Sequence, residues 1–154
     1  MSNKFLVESS EIGVKAVRLA STKDRRRPNS CGAGEQRWQG IAQREIGAYF
    51  AGRLRSFSAP CDLDGLTPFT RAVLKITSRI PYGEVRSYRW IADKLGKPRA
   101  SRAVGNALAR NPIPIIIPCH RVVRSDGAIG GFALGRSWKR KLLELETKSG
   151  PIPG

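Results

Sequence analysis

The chain has 154 residues, enough for one ordinary domain or two small ones, and 40% of them are hydrophobic, which supports a buried core and excludes a disordered chain. No apolar run approaches the roughly 18 residues that cross a bilayer, which excludes a membrane span. The first residues lack the long apolar stretch of a secretory signal, so we expect a cytoplasmic protein. Lysine and arginine number 28 against 12 acidic residues, a net charge of +16.

The positive charge is concentrated in the second half of the chain. After Gly65 there are 17 basic and 5 acidic residues, against 11 and 7 up to that glycine. A solvated basic surface would account for this excess without any function. Phosphate binding accounts for it better, because each contact with a nucleic acid releases condensed counterions. The three consecutive arginines at 25–27 are explained equally well by a solvated loop.

Two strands, a loop and a helix are predicted in the first half. An apolar stretch at 5–7 and an alternating one at 14–19 predict two strands joined by a turn. Residues 21–34 show no periodicity and predict a loop. Apolar residues at helical spacing predict a helix over 37–51, ended by Gly52.

The stretch 53–65 is irregular and rich in turn residues, so we place a domain boundary there. The predicted domains are 1–65 and 66–154.

A helix is predicted at the start of the second domain. Thr67 is a good N-cap, and Pro68 suits the first helical position. Phe69, Val73, Ile76 and Ile80 recur at helical spacing and predict its buried face; Pro81 and Gly83 then end it.

Two short helices follow. Ser87 predicts the cap of a helix that ends at Gly96, and small residues at 100–110 predict a second one. Helices joined by a tight turn are typical of a helix-turn-helix motif, whose second helix enters a DNA groove. An ordinary helical hairpin explains the pattern equally well.

The segment after these helices carries the most chemical information. A proline-braced apolar run at 113–118 leads to Cys119 and then to His120, the only histidine of the chain. Most cysteines in apolar runs are inert core residues. A neighbouring base and the cation of Arg121 favour a reactive thiol instead, and we expect its sulfur to be ionised. A Cys/His protease would need a second, separate histidine.

Three short motifs resemble one family. Pro118-Cys119-His120-Arg121-Val122, preceded by Asn111-Pro112 and by 101–105, is similar to the signature of the O6-alkylguanine-DNA alkyltransferases, also called methylated-DNA–protein-cysteine methyltransferases. The resemblance runs over about 67–146. It implies an α/β (α+β) fold, with a small ribonuclease-H-like α/β domain followed by a mostly helical winged helix-turn-helix domain that holds the active site.

The resemblance implies direct repair of DNA. Cys119 would take the alkyl group from O6 of guanine, or less efficiently from O4 of thymine, in one in-line displacement without a cofactor, and each molecule would react once. His120 would act on Cys119 through water, and Glu146 would orient His120. Tyr88 would donate to the base, and Asn111 would tie the recognition helix to the active-site segment. Taken alone, Tyr88 would be a core aromatic and Glu146 a solvated helix residue.

To reach O6, the protein would have to rotate the nucleotide out of the stack. Arg102 matches the family's arginine finger, which fills the vacated space; a phosphate contact is the alternative. The residues implied in DNA binding are Arg102, Ser101, Ala103, Gly105, Arg89 and Ser125.

The loop beside the implied substrate pocket departs from the family. Phe132 stands where a tyrosine is usual, Ala133 where a serine is usual, and Leu134 where glycine is frequent. We therefore expect poorer acceptance of bulky groups such as O6-benzyl. The implied pocket residues are Val122, Pro114, Phe132, Ala133 and Leu134.

The expected partner is double-stranded DNA that contains O6-alkylguanine, bound by a monomer or by molecules that cluster on DNA. A non-catalytic lesion binder and a winged-helix transcription factor are the alternatives, and Cys119 argues against both. Cys31 and Cys61 form either a disulfide or two free thiols. No metal is expected, because the four ligands of a zinc site are not visible.

Overall fold

The computed structural model describes residues 5–20 and 33–148. The chain divides into two compact units, Met1–Asp64 and Gly65–Gly154. In chain order the elements are β1 (Phe5–Ser9), β2 (Val14–Leu19), α1 (Ala33–Phe50), α2 (Pro68–Thr77), β3 (Arg86–Ser87), α3 (Tyr88–Lys94), α4 (Ser101–Ala109), β4 (Val122–Val123) and α5 (Arg136–Lys148). This mixed α/β fold confirms the predicted class. None of the described helices is long and apolar enough to span a membrane.

The first unit is built on a β-hairpin. Strands β1 and β2 pair antiparallel, with Phe5 opposite Leu19 and Val7 opposite Val17, which confirms both predicted strands. The Phe5 ring stacks on Phe50 at the end of α1, with ring centroids 5.4 Å apart. Within its described residues this unit holds one hairpin and one helix, and the ribonuclease-H-like core stays a prediction.

Helix α1 begins four residues earlier than predicted, at Ala33. The indole nitrogen of Trp38 donates to the Glu11 carbonyl at 3.0 Å, and Gly34 lies against Glu11. These tertiary contacts stabilise a first turn of small and polar residues that has no periodicity of its own. The rest of the predicted loop, with the arginines at 25–27 and Cys31, lies outside the described residues.

Helix α2 begins as predicted but ends sooner. The Thr67 hydroxyl accepts from the backbone N–H of Thr70 at 3.2 Å, and Pro68 is the first helical residue. The helix ends at Thr77, because the backbone tightens into a turn in which Ile80 donates to the Thr77 carbonyl. Ile80 is therefore buried from a turn rather than from the helix, whereas Phe69 and Ile76 are only partly buried.

Helices α3 and α4 confirm the predicted pair. The Ser87 hydroxyl accepts from the backbone N–H of Trp90 at 3.0 Å. Gly96, at φ 71°, follows the end of α3 in the left-handed conformation that favours glycine. Ile91, Val104 and Leu108 are buried where α2, α3 and α4 pack together.

A two-stranded parallel ladder joins this helical pair to the Cys119 segment. Arg86 pairs with Val122, and Ser87 pairs with Val123. Because Tyr88 directly follows β3 and Cys119 lies three residues before β4, the ladder fixes both near the same place.

Candidate active site

Asn111 braces the segment that leads to Cys119. Its buried amide accepts from the backbone N–H of Ile113 at 2.9 Å and donates to the carbonyl of Ile117 at 3.2 Å. Ile115, between them, has φ 75°, a strained conformation for a β-branched residue, and its side chain is only 1% exposed. The end of α4 thus holds a tight apolar loop, from which Cys119–Arg121 continue as a single 3₁₀ turn.

The Cys119 sulfur is enclosed. The residue is 3% exposed, and burial raises the pKa of its thiol to about 11. The nearby Asn111 side chain, the charge of Lys139 and the backbone N–H of Ala133 each lower this pKa, but by less than burial raises it. In the resting protein the thiol therefore keeps its proton at neutral pH, and an ionised sulfur in the reacting state stays a prediction.

His120 and Glu146 form a buried pair. Nε2 of His120 lies 2.6 Å from Oε2 of Glu146, and Oε1 of Glu146 accepts from the backbone N–H of Gly83 at 3.1 Å. Arg121 completes the group: its Nε donates to Oε1 at 2.9 Å and a terminal nitrogen donates to Oε2 at 3.0 Å. A third nitrogen of Arg121 donates to the Ile80 carbonyl at 2.7 Å, so the guanidinium is fixed on two sides.

The contacts within this group set the ionisation states of Glu146 and His120. Burial alone would raise the pKa of Glu146, but hydrogen bonds from His120 and Arg121 and their charges hold it at about 2. Burial lowers the pKa of His120, which the Glu146 carboxylate only partly offsets. At neutral pH the site therefore combines an anionic Glu146 with a neutral imidazole that is able to accept a proton.

Lys139, which no sequence motif singles out, is fully buried beside the site. Its ammonium donates to the carbonyl of Val122 at 2.5 Å and to that of Gly131 at 3.0 Å. Burial lowers its pKa to about 8, while a Cys119 thiolate would raise it. The spacing of Lys139, Leu142 and Glu146 in the sequence places them on one face of α5 and could have indicated that Lys139 is buried. All three are buried.

Replacing Lys139 by methionine removes this cation while keeping much of its volume. We expect the pKa of Cys119 to rise further, because a thiolate loses its nearby positive charge. The buried carbonyl of Val122 and the part-buried carbonyl of Gly131 also lose a donor, at a cost of about 1–3 kcal/mol in the free energy of unfolding. The pH dependence of Cys119 modification by iodoacetamide, followed by mass spectrometry, measures the shift. Lys141→Met, on an exposed part of the same helix, is the control, and an equal midpoint in both variants would contradict the assignment.

Tyr88 is held between α3 and the loop before α5. Burial and the charge of a Cys119 thiolate raise the pKa of its phenol by more than Arg124 and the nearby backbone N–H of Gly131 lower it, so the phenol keeps its proton. The Lys139 ammonium lies 5.7 Å from the centre of its ring. A Cβ on Gly130 would stand 2.6 Å from the Tyr88 hydroxyl oxygen, which leaves room only for glycine.

Gly130→Ala is expected to slow the alkyl transfer that the family resemblance implies roughly 100-fold, because the added methyl group displaces Tyr88. Gly127→Ala is the matched control: Gly127 also has a positive φ, 88°, but a Cβ there meets nothing within 4 Å. Both variants should lose about 1–2 kcal/mol of stability to backbone strain. Single-turnover rates measure the effect of displacing Tyr88, and thermal melts measure the loss of stability. Equal rates for both variants would show that displacement of Tyr88 does not slow transfer.

A cavity of about 820 Å³ opens beside Tyr88. Five of the six residues implied in DNA binding line it: Arg89, Ser101, Arg102, Gly105 and Ser125. Ala103 is exposed on α4 but does not line the cavity. Arg124 and Arg136, which were not predicted, also line it.

The implied substrate-pocket residues lie elsewhere. None of Val122, Pro114, Phe132, Ala133 and Leu134 lines this cavity, and neither does Cys119. The Phe132 ring meets the His120 ring edge-on, with centroids 6.2 Å apart. The backbone N–H of Ala133 is close enough to Cys119 to lower the pKa of its thiol, and the Val122 carbonyl accepts from Lys139. The loop around Phe132 therefore lies beside the segment that carries the sulfur.

Within residues 5–20 and 33–148 there is no group of three or more histidine, cysteine, aspartate or glutamate side chains that could hold a metal ion. Cys61 is partly buried, and burial raises the pKa of its thiol to about 11. Its suggested partner, Cys31, lies outside the described residues.

Known proteins are similar to this chain in sequence and in fold. Residues 68–148 match the family model described as 6-O-methylguanine DNA methyltransferase, DNA binding domain. A methylated-DNA–protein-cysteine methyltransferase of Methanosarcina barkeri is 44% identical over 92% of this chain and 89% of its own length. The enzyme of that name from Mycobacterium bovis is 50% identical over 70% of this chain and 64% of its own. The crystal structure of Mycobacterium tuberculosis OGT in complex with DNA superposes with a TM-score of 0.75 at 38% identity, covering 96% of this chain and 94% of that one. With its cysteine, histidine and glutamate brought together on this fold, the chain belongs to the family of methylated-DNA–protein-cysteine methyltransferases.

Proposed function

We propose that this protein repairs double-stranded DNA by moving the alkyl group of O6-alkylguanine, and less efficiently that of O4-alkylthymine, irreversibly to Cys119. Residues 66–154 would carry both DNA binding and the reaction. The observation that carries the proposal is the position of Cys119 beside the buried His120–Glu146 pair, in a unit whose cavity is lined by four arginines. The solved M. tuberculosis relative, which was crystallised with DNA, supports the same partner here.

The reaction is a displacement at carbon. The Cys119 thiol gives its proton to His120 through water, and the resulting thiolate attacks the alkyl carbon. The carbon–sulfur bond forms while the carbon–O6 bond breaks, and the electron pair stays on the guanine. A proton from Tyr88 neutralises the leaving base. The neutral His120 and the protonated Tyr88 suit these roles. Because the thioether is stable, each molecule reacts once.

Two movements are needed before this step. The damaged nucleotide has to leave the base stack, since O6 is not accessible to a cysteine inside a duplex. The loop around Phe132 has to open, since Cys119 is only 3% exposed. We infer that the extruded nucleotide enters through the arginine-lined cavity and that opening of the loop connects this cavity to the sulfur.

Mass spectrometry after incubation with O6-methylguanine DNA tests the proposal. The expected result is one added methyl group per molecule, on the peptide that contains Cys119. Binding without any change in mass would instead support the non-catalytic lesion binder, and a methyl group on another residue would also refute the proposal.

Arg102→Ala tests the proposed extrusion. We expect slower transfer from duplex DNA but little change with free O6-methylguanine, because only the duplex has to be unstacked. Arg110→Ala, at the other end of α4 and away from the cavity, removes the same charge and is the control. Rate constants on both substrates check the prediction, and equal losses on the two would show that Arg102 does not act in extrusion.

A further inference from the structure

Two separate segments supply positive charge to the cavity of about 820 Å³. Helices α3 and α4 contribute Arg89 and Arg102, as the family resemblance implies. The turn after β4 and the first residue of α5 contribute Arg124 and Arg136. The resemblance assigns no role to this second pair.

The charge of this second pair is available to a ligand. Among the described residues, Asp126 is the one acidic residue that lines the cavity; it lies 3.4 Å from Arg124, and both side chains are about 60% exposed, so the pair is weak. Arg136 is exposed and forms no ion pair with a carboxylate of the described residues. The cavity therefore keeps an excess of guanidinium groups, which bind phosphates through paired hydrogen bonds.

Arg136 also lies close to the reacting groups. It stands one turn before Lys139, and its charge lowers the pKa of that buried ammonium. The same ammonium donates a hydrogen bond to the carbonyl of Gly131. Gly131 lines the cavity together with Tyr88. A ligand on Arg136 would therefore occupy the cavity near the loop around Phe132.

We infer that Arg136, assisted by Arg124, binds a phosphodiester group of the extruded nucleotide and so positions its base for transfer to Cys119. An extruded nucleotide brings its flanking phosphates with it, and the volume of the cavity is that of a small-molecule site. The nucleotide is then held from the α5 side as well as from the α4 side. This inference rests on the proposed function, and it makes Arg136 a positioning residue.

A test that pairs a protein variant with a change in the substrate isolates this contact. One substrate is a single-stranded trinucleotide with O6-methylguanine in the middle and two phosphodiester linkages; the other carries neutral methylphosphonate linkages. We expect Arg136→Gln to slow methyl transfer from the first roughly tenfold, the usual effect of losing a hydrogen bond to a charged group. The second substrate should react with the variant and the unmodified protein at the same rate. Lys75→Gln, on the exposed side of α2, removes the same charge away from the cavity and should behave as the unmodified protein on both.

The outcomes are distinct. Equal slowing on both substrates means that Arg136 acts on the structure of the site and overturns the inference, as does an unchanged rate on the phosphodiester substrate. If the unmodified protein transfers no methyl group to Cys119 from the trinucleotides or from duplex DNA, the proposed function fails and the inference fails with it. Transfer that does not depend on Arg136 leaves the proposed function intact.

Discussion

Cys119→Ser is expected to reduce alkyl transfer below detection while DNA affinity stays within about twofold. A serine hydroxyl ionises far less readily than a thiol, so no comparable nucleophile forms at neutral pH. Affinity should persist because Cys119 is 3% exposed and offers almost no surface to DNA. Stability should change by about 1 kcal/mol or less, since the hydroxyl has nearly the volume of the thiol and lies beside the same polar groups, the Asn111 side chain and the backbone N–H of Ala133.

The matched control is Cys61→Ser in the first unit. Cys61 is partly buried and belongs to the other compact unit, so this variant should transfer methyl groups at the unmodified rate. Mass spectrometry measures transfer, and gel-shift titration with O6-methylguanine duplex measures affinity. A methyl group acquired by the Cys119→Ser protein would place the nucleophile elsewhere and remove the basis of the proposed reaction.

Glu146→Gln is expected to lower the free energy of unfolding by about 3–5 kcal/mol at neutral pH. The carboxylate accepts hydrogen bonds from Arg121 and from the backbone of Gly83 and is paired with His120, all in a buried site. A neutral amide leaves the buried guanidinium of Arg121 without its counter-charge. Glu144→Gln, two residues earlier on the exposed side of α5, should change stability by less than about 0.5 kcal/mol.

The pH dependence provides a second measurement on the same variant. The folded-state pKa of Glu146 is about 2, below its ordinary value of 4.5, so its contribution to stability is complete above pH 4.5 and is lost as the pH falls towards 2. The stability gap between Glu146→Gln and the unmodified protein should therefore narrow between pH 4.5 and 2. Urea unfolding at several pH values measures it, and a gap of constant size would show that the charge of Glu146 is not the stabilising feature.

Local signals in the sequence located most of the secondary structure. The Thr67-Pro68 start of α2, the Ser87 cap of α3 and the glycine at 96 act through their own backbone neighbours, so they hold whatever the rest of the chain does. The start of α1 could not be predicted in this way, because its first turn is stabilised by contacts with Glu11, more than twenty residues away.

The same distinction between local signals and tertiary contacts applies to the residues of the site. The adjacent Cys119 and His120 are visible as a motif, and the family resemblance supplies Glu146 and Asn111. The bidentate pair of Arg121 with Glu146, the buried Lys139 and the approach of Arg136 to the cavity depend on which face of α5 packs against the 3₁₀ turn. That packing brings together residues about twenty positions apart, so no local sequence pattern predicts it.

The sequence by itself determined the adjacent Cys119 and His120, the excess of basic residues and the helices around them, because these follow from residue identity and short-range spacing; that Cys119 is the nucleophile stays a proposal. Only the tertiary structure decided that the thiol is neutral at rest, that His120 is uncharged and that Lys139 lies beneath the loop around Phe132. The physical reason is that ionisation depends on burial and on the charges within a few ångströms, and folding brings those charges together from distant parts of the chain.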